Sequence, residues 1–313
     1  MNPGDGTVVP VMEVGGTHVT AAGVDLGARS LRSGRSFREV VDGDGSTGDF
    51  VSALVRAAAH LPAQQGPVRW AVALPGPFDY ERGIGRYEGV GKFDALRGFD
   101  LRAALTASLP GAAAVSFWND ADAFVLGEWW AGAARGHRSV VGITLGTGVG
   151  SCFLRDGRIQ RHGPGVPPDG RVHVLRYADE PLEETVSRRA LRRAYARATG
   201  ASPPDVQEIA RRARQGGDRA AVGVFAEAFT ALGSVLGPLL AAFEPTVLVV
   251  GGAIAGAWDL VAEPLRAGLT AAGPARNGRI VVTAARQPAE APLLGAAYLA
   301  MACGQPHGRT GPL

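Results

Sequence analysis

The sequence predicts an α/β protein of two domains. Three observations carry this. Strand-like apolar runs alternate with helical periods, strand–glycine turn–strand units recur in both halves, and 313 residues suffice for about two domains of ordinary size.

Val8 to Val14 is an apolar strand meeting the turn Gly15-Gly16-Thr17, and His18 to Asp25 alternates as a returning strand, so the two form a hairpin with Glu13 just before its glycines. Asp49 to His60 has the apolar spacing of an amphipathic helix, and Val68 to Leu74 is a buried strand ended by Pro75-Gly76-Pro77. Phe78 to Asp100, rich in glycine and charge, is a long loop with room for a short ribbon, and such loops are often functional. Leu101 to Leu109 resumes as a helix, and Ala112 to Trp118 is a strand that delivers Asn119-Asp120.

The stretch Val115 to Gly150 organises the chain, because it runs from that pair through a helical segment into the strand Val140 to Leu145 and the turn Gly146 to Gly150. Ser151 to Leu154 returns as a strand, repeating the pattern of residues 8 to 25 and suggesting a duplicated architecture. Glu183 to Thr199, Asp205 to Gln215 and Arg219 to Phe243 are helical. Thr246 to Val250 is a strand feeding Gly251-Gly252, Leu260 to Ala271 a helix, Arg279 to Thr283 a strand, and Leu293 to Cys303 the closing helix.

The formal charge of +3 is small and scattered, so no face or tail marks a nucleic-acid partner. Basic residues are almost all arginine, and Lys92 is the only lysine. It is either a chance survivor on a solvated loop or a position that needs a compact ammonium. Cys152 and Cys303 form no CxxC-type cluster, which fits a reduced cytoplasmic protein without structural zinc. MNPGDGTVVP has neither a basic region nor an apolar core, so no signal peptide is expected. The longest apolar region, Ala231 to Trp258, is cut by Pro238, Glu244-Pro245 and Gly251-Gly252, and reads as a helix and a buried strand rather than a membrane span.

Glycine turns let backbone N–H groups approach phosphate oxygens where a Cβ would block them. One GTGVG alone is weak, but three glycine turns each follow a buried strand here. GxxxxGK[ST] is absent, which excludes a P-loop, and GTGVG opens into another strand, which argues against a dinucleotide fold.

In order and spacing these residues resemble the ROK family of sugar kinases, within the actin-like ATPase (ribonuclease H-like) fold, over nearly the whole chain. Glu13-Val14-Gly15-Gly16-Thr17 is similar to the family's first phosphate motif, DxGGT, and Leu145 to Gly150 to its second, LGTGVG. Leu74 to Pro77 matches its PGP segment, Asn119-Asp120 its catalytic pair, Val250-Gly251-Gly252 its adenosine loop and Leu294 to Ala297 its closing helix. The resemblance implies an ATP- and Mg²⁺-dependent kinase acting on a monosaccharide or a sugar-like C7 cyclitol. Two α/β domains would flank a cleft, 1–118 with the helix 291–303 and 119–290.

On that resemblance Asp120 is the base that takes the acceptor's proton and Asn119 holds neighbouring hydroxyls; the bland alternative makes Asp120 a plain helix N-cap. Gly15, Gly16, Thr17, Gly146, Thr147, Gly148, Gly251 and Gly252 would hold the nucleotide, and Gly76 would line the acceptor side. Glu13 stands where the family has the Asp that holds Mg²⁺ or its waters, keeping the charge but adding a methylene.

The acceptor side departs further. GExGH is matched only at its end, with Gly170 for the Glu and His173 kept, and the zinc motif is replaced by Arg176 to Leu182 without cysteine. Glu183 remains as an acceptor for sugar hydroxyls, and His173 is either structural or sugar-contacting. The loop Gly89 to Asp94, with Lys92, replaces the family's Asn-bearing sugar loop, which points to an acceptor other than plain glucose. Trp118, Trp129 and Trp130 are core residues or stacking platforms, and Arg188, Arg189, Arg192 and Arg193 read as a solvated basic face.

The expected protein is a cytoplasmic homodimer with a small-molecule acceptor, no nucleic acid and no membrane partner. Two rivals stand beside it. One is a sugar-responsive regulator of the same family, which needs an N-terminal helix-turn-helix for which the early first strand leaves no room. The other is a non-catalytic sugar-binding protein, favoured by Glu13 and the altered acceptor motifs and opposed by Asn119-Asp120.

Overall fold

A computed structural model describes residues 7–89, 91–273 and 280–303. In chain order the elements are β1 (Val8–Val14), β2 (His18–Asp25), β3 (Ser30–Leu31), β4 (Phe37–Val40), α1 (Thr47–Ala59), β5 (Val68–Leu74), β6 (Phe78–Asp79), β7 (Ile84–Gly85), α2 (Leu101–Ser108), β8 (Ala112–Asn119) and α3 (Asp120–Ala131). Then follow β9 (Ser139–Leu145), β10 (Val149–Arg155), β11 (Arg158–Gln160), β12 (Arg176–Tyr177), β13 (Glu180–Pro181), α4 (Glu183–Val186), α5 (Arg188–Thr199), α6 (Val206–Arg214), α7 (Arg219–Phe243), β14 (Val247–Gly251), α8 (Trp258–Ala271), β15 (Val281–Ala284) and α9 (Ala291–Cys303). They form two compact units, one up to Ala131 and again from Ala289, the other Gly132–Pro288.

The first unit holds a sheet ordered β3-β2-β1-β5-β8, with β4 also paired to β2. β1 and β2 are antiparallel, Val14 opposite Val19, and the Gly15 N–H closes the hairpin on the His18 carbonyl at 2.8 Å. β1, β5 and β8 are parallel, with Glu13 level with Ala73 and Leu74 level with Asn119. Successive side chains of a strand point to opposite faces. Met12 and Val72 therefore enter one core with Phe50, Leu54 and Leu105, while Val11 and Ala71 enter another with Leu294 and Ala297 of α9. α1 starts at a capping box, in which Ser46 Oγ accepts from the Asp49 N–H at 3.1 Å and the Asp49 carboxylate accepts from the Ser46 N–H at 3.3 Å.

Helix α3 stays in the first unit, so the units part after Ala131 rather than after the expected 118. The cause is its contact with α9. A Cβ at Gly127 would overlap the Ala291 backbone, and one at Gly295 would overlap the Ala123 backbone, so two glycines let the helix axes approach.

The second unit repeats the first sheet's plan, ordered β11-β10-β9-β14-β15. β9 and β10 form the antiparallel hairpin with Leu145 opposite Val149, and β9, β14 and β15 are parallel. The duplication expected from the two glycine hairpins thus extends to strand order and sense. The strand expected from Arg279 runs from Val281; Arg279 itself lies outside the described residues.

Among the described residues α7 is the one helix long and apolar enough to cross a membrane. Here its Phe225, Phe229, Leu232 and Leu236 fill the core with Val141, Ile143, Leu248 and Val250 of the sheet. Glycines at 233 and 268 bring α7 and α8 into backbone contact. The single helix expected from Glu183 to Thr199 breaks at Ser187, whose extended backbone and side chain cap α5 through the Ala190 N–H at 3.3 Å.

Candidate active site

Parallel β1, β5 and β8 end at one edge of the first sheet, and the carboxyl ends of parallel strands are where α/β sheets bind ligands. That edge gathers Glu13, the turn Gly15-Gly16-Thr17, the Pro75-Gly76-Pro77 segment and Asn119-Asp120. Asn119, not Asp120, caps α3: its Oδ1 accepts from the Ala121 and Asp122 N–H groups at 3.1 and 3.2 Å. Its Nδ2 donates to Tyr80 Oη and to Asp120 Oδ1, both at 3.1 Å. Asp120 Oδ1 also accepts from the Ala121 N–H at 2.9 Å.

Two tyrosines that sequence reasoning missed hold this edge. Tyr80 Oη donates to the Leu74 carbonyl at 3.2 Å and stands 3.4 Å from where a Cβ at Gly76 would lie. Tyr87 Oη donates to the Pro75 carbonyl at 2.5 Å, and burial keeps its phenol protonated far above the ordinary range.

Burial raises the Asp120 carboxyl above the usual carboxylate range, the Ala121 N–H and the Lys92 ammonium oppose it, and Asp122 adds to the rise. Glu13 is pushed up to about 7 by burial and by the charge of Asp120, with Arg38 opposing. Lys92 belongs to the same cluster, its Nζ 3.8 Å from where a Cβ at Gly16 would stand.

In the second unit the turn Gly146-Thr147-Gly148 closes with the Gly146 N–H on the Gly148 carbonyl at 3.0 Å. The Val149 N–H donates to Glu183 Oε2 at 3.0 Å, and the Arg188 N–H to the Gly146 carbonyl at 2.8 Å, so the α4–α5 break is fastened to the turn at two points. Gly252, at φ 84°, presses on Leu145, where a Cβ would overlap the backbone; two of the three glycine turns therefore adjoin. His173 is held below its ordinary pKa by burial, with Glu183 acting to raise it and Arg171 to lower it, so it shares the Glu183 neighbourhood as a neutral imidazole.

A cavity of about 230 Å³ follows Gly252, lined by Val206, Gln207, Ala210 and Arg214 of α6 and by Ile254 and Gly256. No sequence signal marked it, since its walls come from a helix and a turn far apart in the chain.

The arginine row is not simply solvated. Arg188 pairs with Asp205 at 2.5 Å, Arg193 with Glu184 at 2.9 Å, Arg189 with Glu184, and Arg192 donates to the Pro203 and Pro204 carbonyls at 3.1 Å. Trp129 and Trp130 pack on Tyr298 of α9, with ring centroids 5.5 and 5.9 Å apart, which makes them core residues.

The model of the ROK family matches residues 10–302. The glucokinase of Thermotoga maritima is 32% identical over 170 residues, 47% of this chain and 53% of that protein. That of Streptomyces coelicolor is 33% identical over 212 residues, 58% of this chain and 65% of that protein. The matches thus span between half and two thirds of these curated relatives. The crystal structure of a ROK family glucokinase from Streptomyces griseus in complex with glucose and AMPPNP superposes with a TM-score of 0.76 at 26% identity, covering 95% of this chain and 100% of that one.

Proposed function

The chain belongs to the ROK family and has its actin-like ATPase fold, and from that premise we propose that it is a sugar kinase transferring the γ-phosphoryl group of ATP to a hydroxyl of a monosaccharide or sugar-like C7 cyclitol. The observation that carries the proposal is Asp120, set at the end of β8 beside Glu13, Lys92 and the first glycine turn.

Asp120 takes the proton of the acceptor hydroxyl while the new O–P bond forms, the bond from the γ-phosphorus to the bridging oxygen breaks and ADP leaves. Its raised pKa strengthens it as a base, and the Ala121 N–H and Lys92 favour its ionised form. Asn119 donates its amide to Tyr80 and to Asp120 and so orients the base, and it reaches an acceptor hydroxyl in this reading by exchanging one of these bonds. Gly16, Thr17, Thr147 and Gly148 offer backbone N–H groups to phosphate oxygens in this reading, while the Gly15 and Gly146 N–H groups close their turns. The cavity after Gly251-Gly252 takes the adenine. Glu183, His173 and Gly76 are the acceptor-side residues of this reading, with one Glu183 oxygen engaged by Val149.

Glu13 fits a hard cation, because an all-oxygen carboxylate repelled by Asp120 gains from a divalent charge nearby. Mg²⁺ held there, directly or through water, would neutralise charge on the phosphates. A homodimer acting in the cytoplasm, without nucleic-acid or membrane partners, belongs to the same proposal.

The test is ADP release from MgATP across hexoses, amino sugars and C7 cyclitols. Release with one class of acceptor supports the reading, and none with any acceptor defeats it.

A further inference from the structure

Lys92 is the only lysine in a chain whose Lys and Arg residues total 32. It is half-buried, and among the described residues it forms no direct ion pair. Its Nζ points to the tip of the first hairpin, 3.8 Å from where a Cβ at Gly16 would stand, and its charge reaches Asp120.

The loop is built to hold it there. Gly89 and Gly91 lie at φ 65° and 74°, and Phe93 at φ 61°, a conformation that costs a bulky side chain. That cost is met by burying the Phe93 ring edge-on against Phe50 and Tyr87, centroids 5.3 and 5.6 Å apart. The Phe93 N–H donates to the Gly43 carbonyl at 2.6 Å, and a Cβ at Gly43 would stand 3.2 Å from Lys92 Cβ, so the absent side chain gives the lysine stem its place.

We propose that Lys92 is a catalytic cation whose ammonium binds the γ-phosphoryl group during transfer at the first glycine turn, rather than an acceptor-binding residue. The inference rests on the kinase reading. The transferring group carries negative charge on three equatorial oxygens and must approach a second negative group, Asp120. A cation beside the Gly16 turn and acting on Asp120 offsets that repulsion where it arises. An ammonium with three rotatable donors follows a moving phosphoryl group better than the planar arginine fork. Lys92 neither gains nor loses a proton: the acceptor's proton goes to Asp120 and the bridging electron pair to ADP.

The test compares wild type, Lys92→Met and Lys92→Arg, with thermal melts confirming that each folds. Titrations with the magnesium complexes of AMPPNP and ADP isolate the γ-phosphate contribution. The proposal expects wild type to bind AMPPNP more tightly than ADP and Lys92→Met to lose that advantage. It also expects kcat to fall about 10²–10³-fold with the acceptor KM held within about 3-fold, Lys92→Arg lying between. A raised acceptor KM with kcat and the AMPPNP-to-ADP ratio unchanged overturns it, as does a wild type that does not distinguish the two nucleotides. If wild type phosphorylates no acceptor, the kinase reading fails, and the nucleotide comparison still decides whether Lys92 binds the γ-phosphate.

Discussion

The Val149 N–H donates to Glu183 Oε2 at 3.0 Å, fastening the GTGVG turn to the first residue of α4. A carboxylate expected to serve only the acceptor thus also shapes the turn expected to serve the nucleotide. Glu183→Ala should therefore raise the KM of both substrates, whereas a residue confined to the acceptor side would raise one. Loss of the charge-assisted bond should lower stability by about 1.5–3 kcal/mol. Two-substrate kinetics and urea unfolding check both; an unchanged ATP KM would separate Glu183 from the turn.

Asp120→Asn should keep nucleotide affinity and lose turnover by about 10²–10⁴-fold, the usual reach of a positioned general base. Calorimetry with AMPPNP and the rate of ADP release measure the two sides. Because Asn119 caps α3, the substitution leaves the cap in place, and because it also removes a buried charge, melting should not fall. Retained turnover would remove Asp120 from the mechanism.

The glycine hairpins and the Asn119-Asp120 pair were legible in the sequence because each is local: a glycine turn between strands and a polar pair at a strand end need no distant partner. The doubled sheet followed from the same two hairpins. Tyr80 and Tyr87 were not legible, since their hydroxyls matter only after an aperiodic loop folds back onto Leu74 and Pro75. The unit boundary after Ala131 was hidden for a like reason, because α3 is held by α9 from the far end of the chain. Ser187 did carry a local signal, a serine three residues before Ala190 as an N-cap, masked by strong helical composition on both sides.

Glu13 makes stability depend on pH. Its carboxyl is raised to about 7 from 4.5 by burial and Asp120, with Arg38 opposing, so between those values the folded state holds the extra proton. Stability should fall as pH rises through this window, by about 3 kcal/mol in all, and stay lowered above it. Glu13→Gln removes the cost of the buried charge. In metal-free buffer it should melt several degrees above wild type at pH 8 and close to it at pH 4.5. Equal melting of the two proteins at pH 8 would show that Glu13 ionises without penalty.

The contact of α3 with α9 makes the closing helix part of the site's support, because α3 begins at Asp120. Gly127→Ala and Gly295→Ala each place a methyl group on the partner helix's backbone, where no side chain can swing aside. Each should cost about 1–3 kcal/mol, the range for overpacking a tight interface. Gly217→Ala, with open space around its Cβ, serves as the control and should stay within about 0.5 kcal/mol. If α3 moves to relieve the overlap, Asp120 moves with it, so Gly127→Ala should lower kcat more than it raises either KM. Urea unfolding and steady-state kinetics on the same samples measure this, and full kcat in a destabilised Gly127→Ala would show that the base is held by β8 alone.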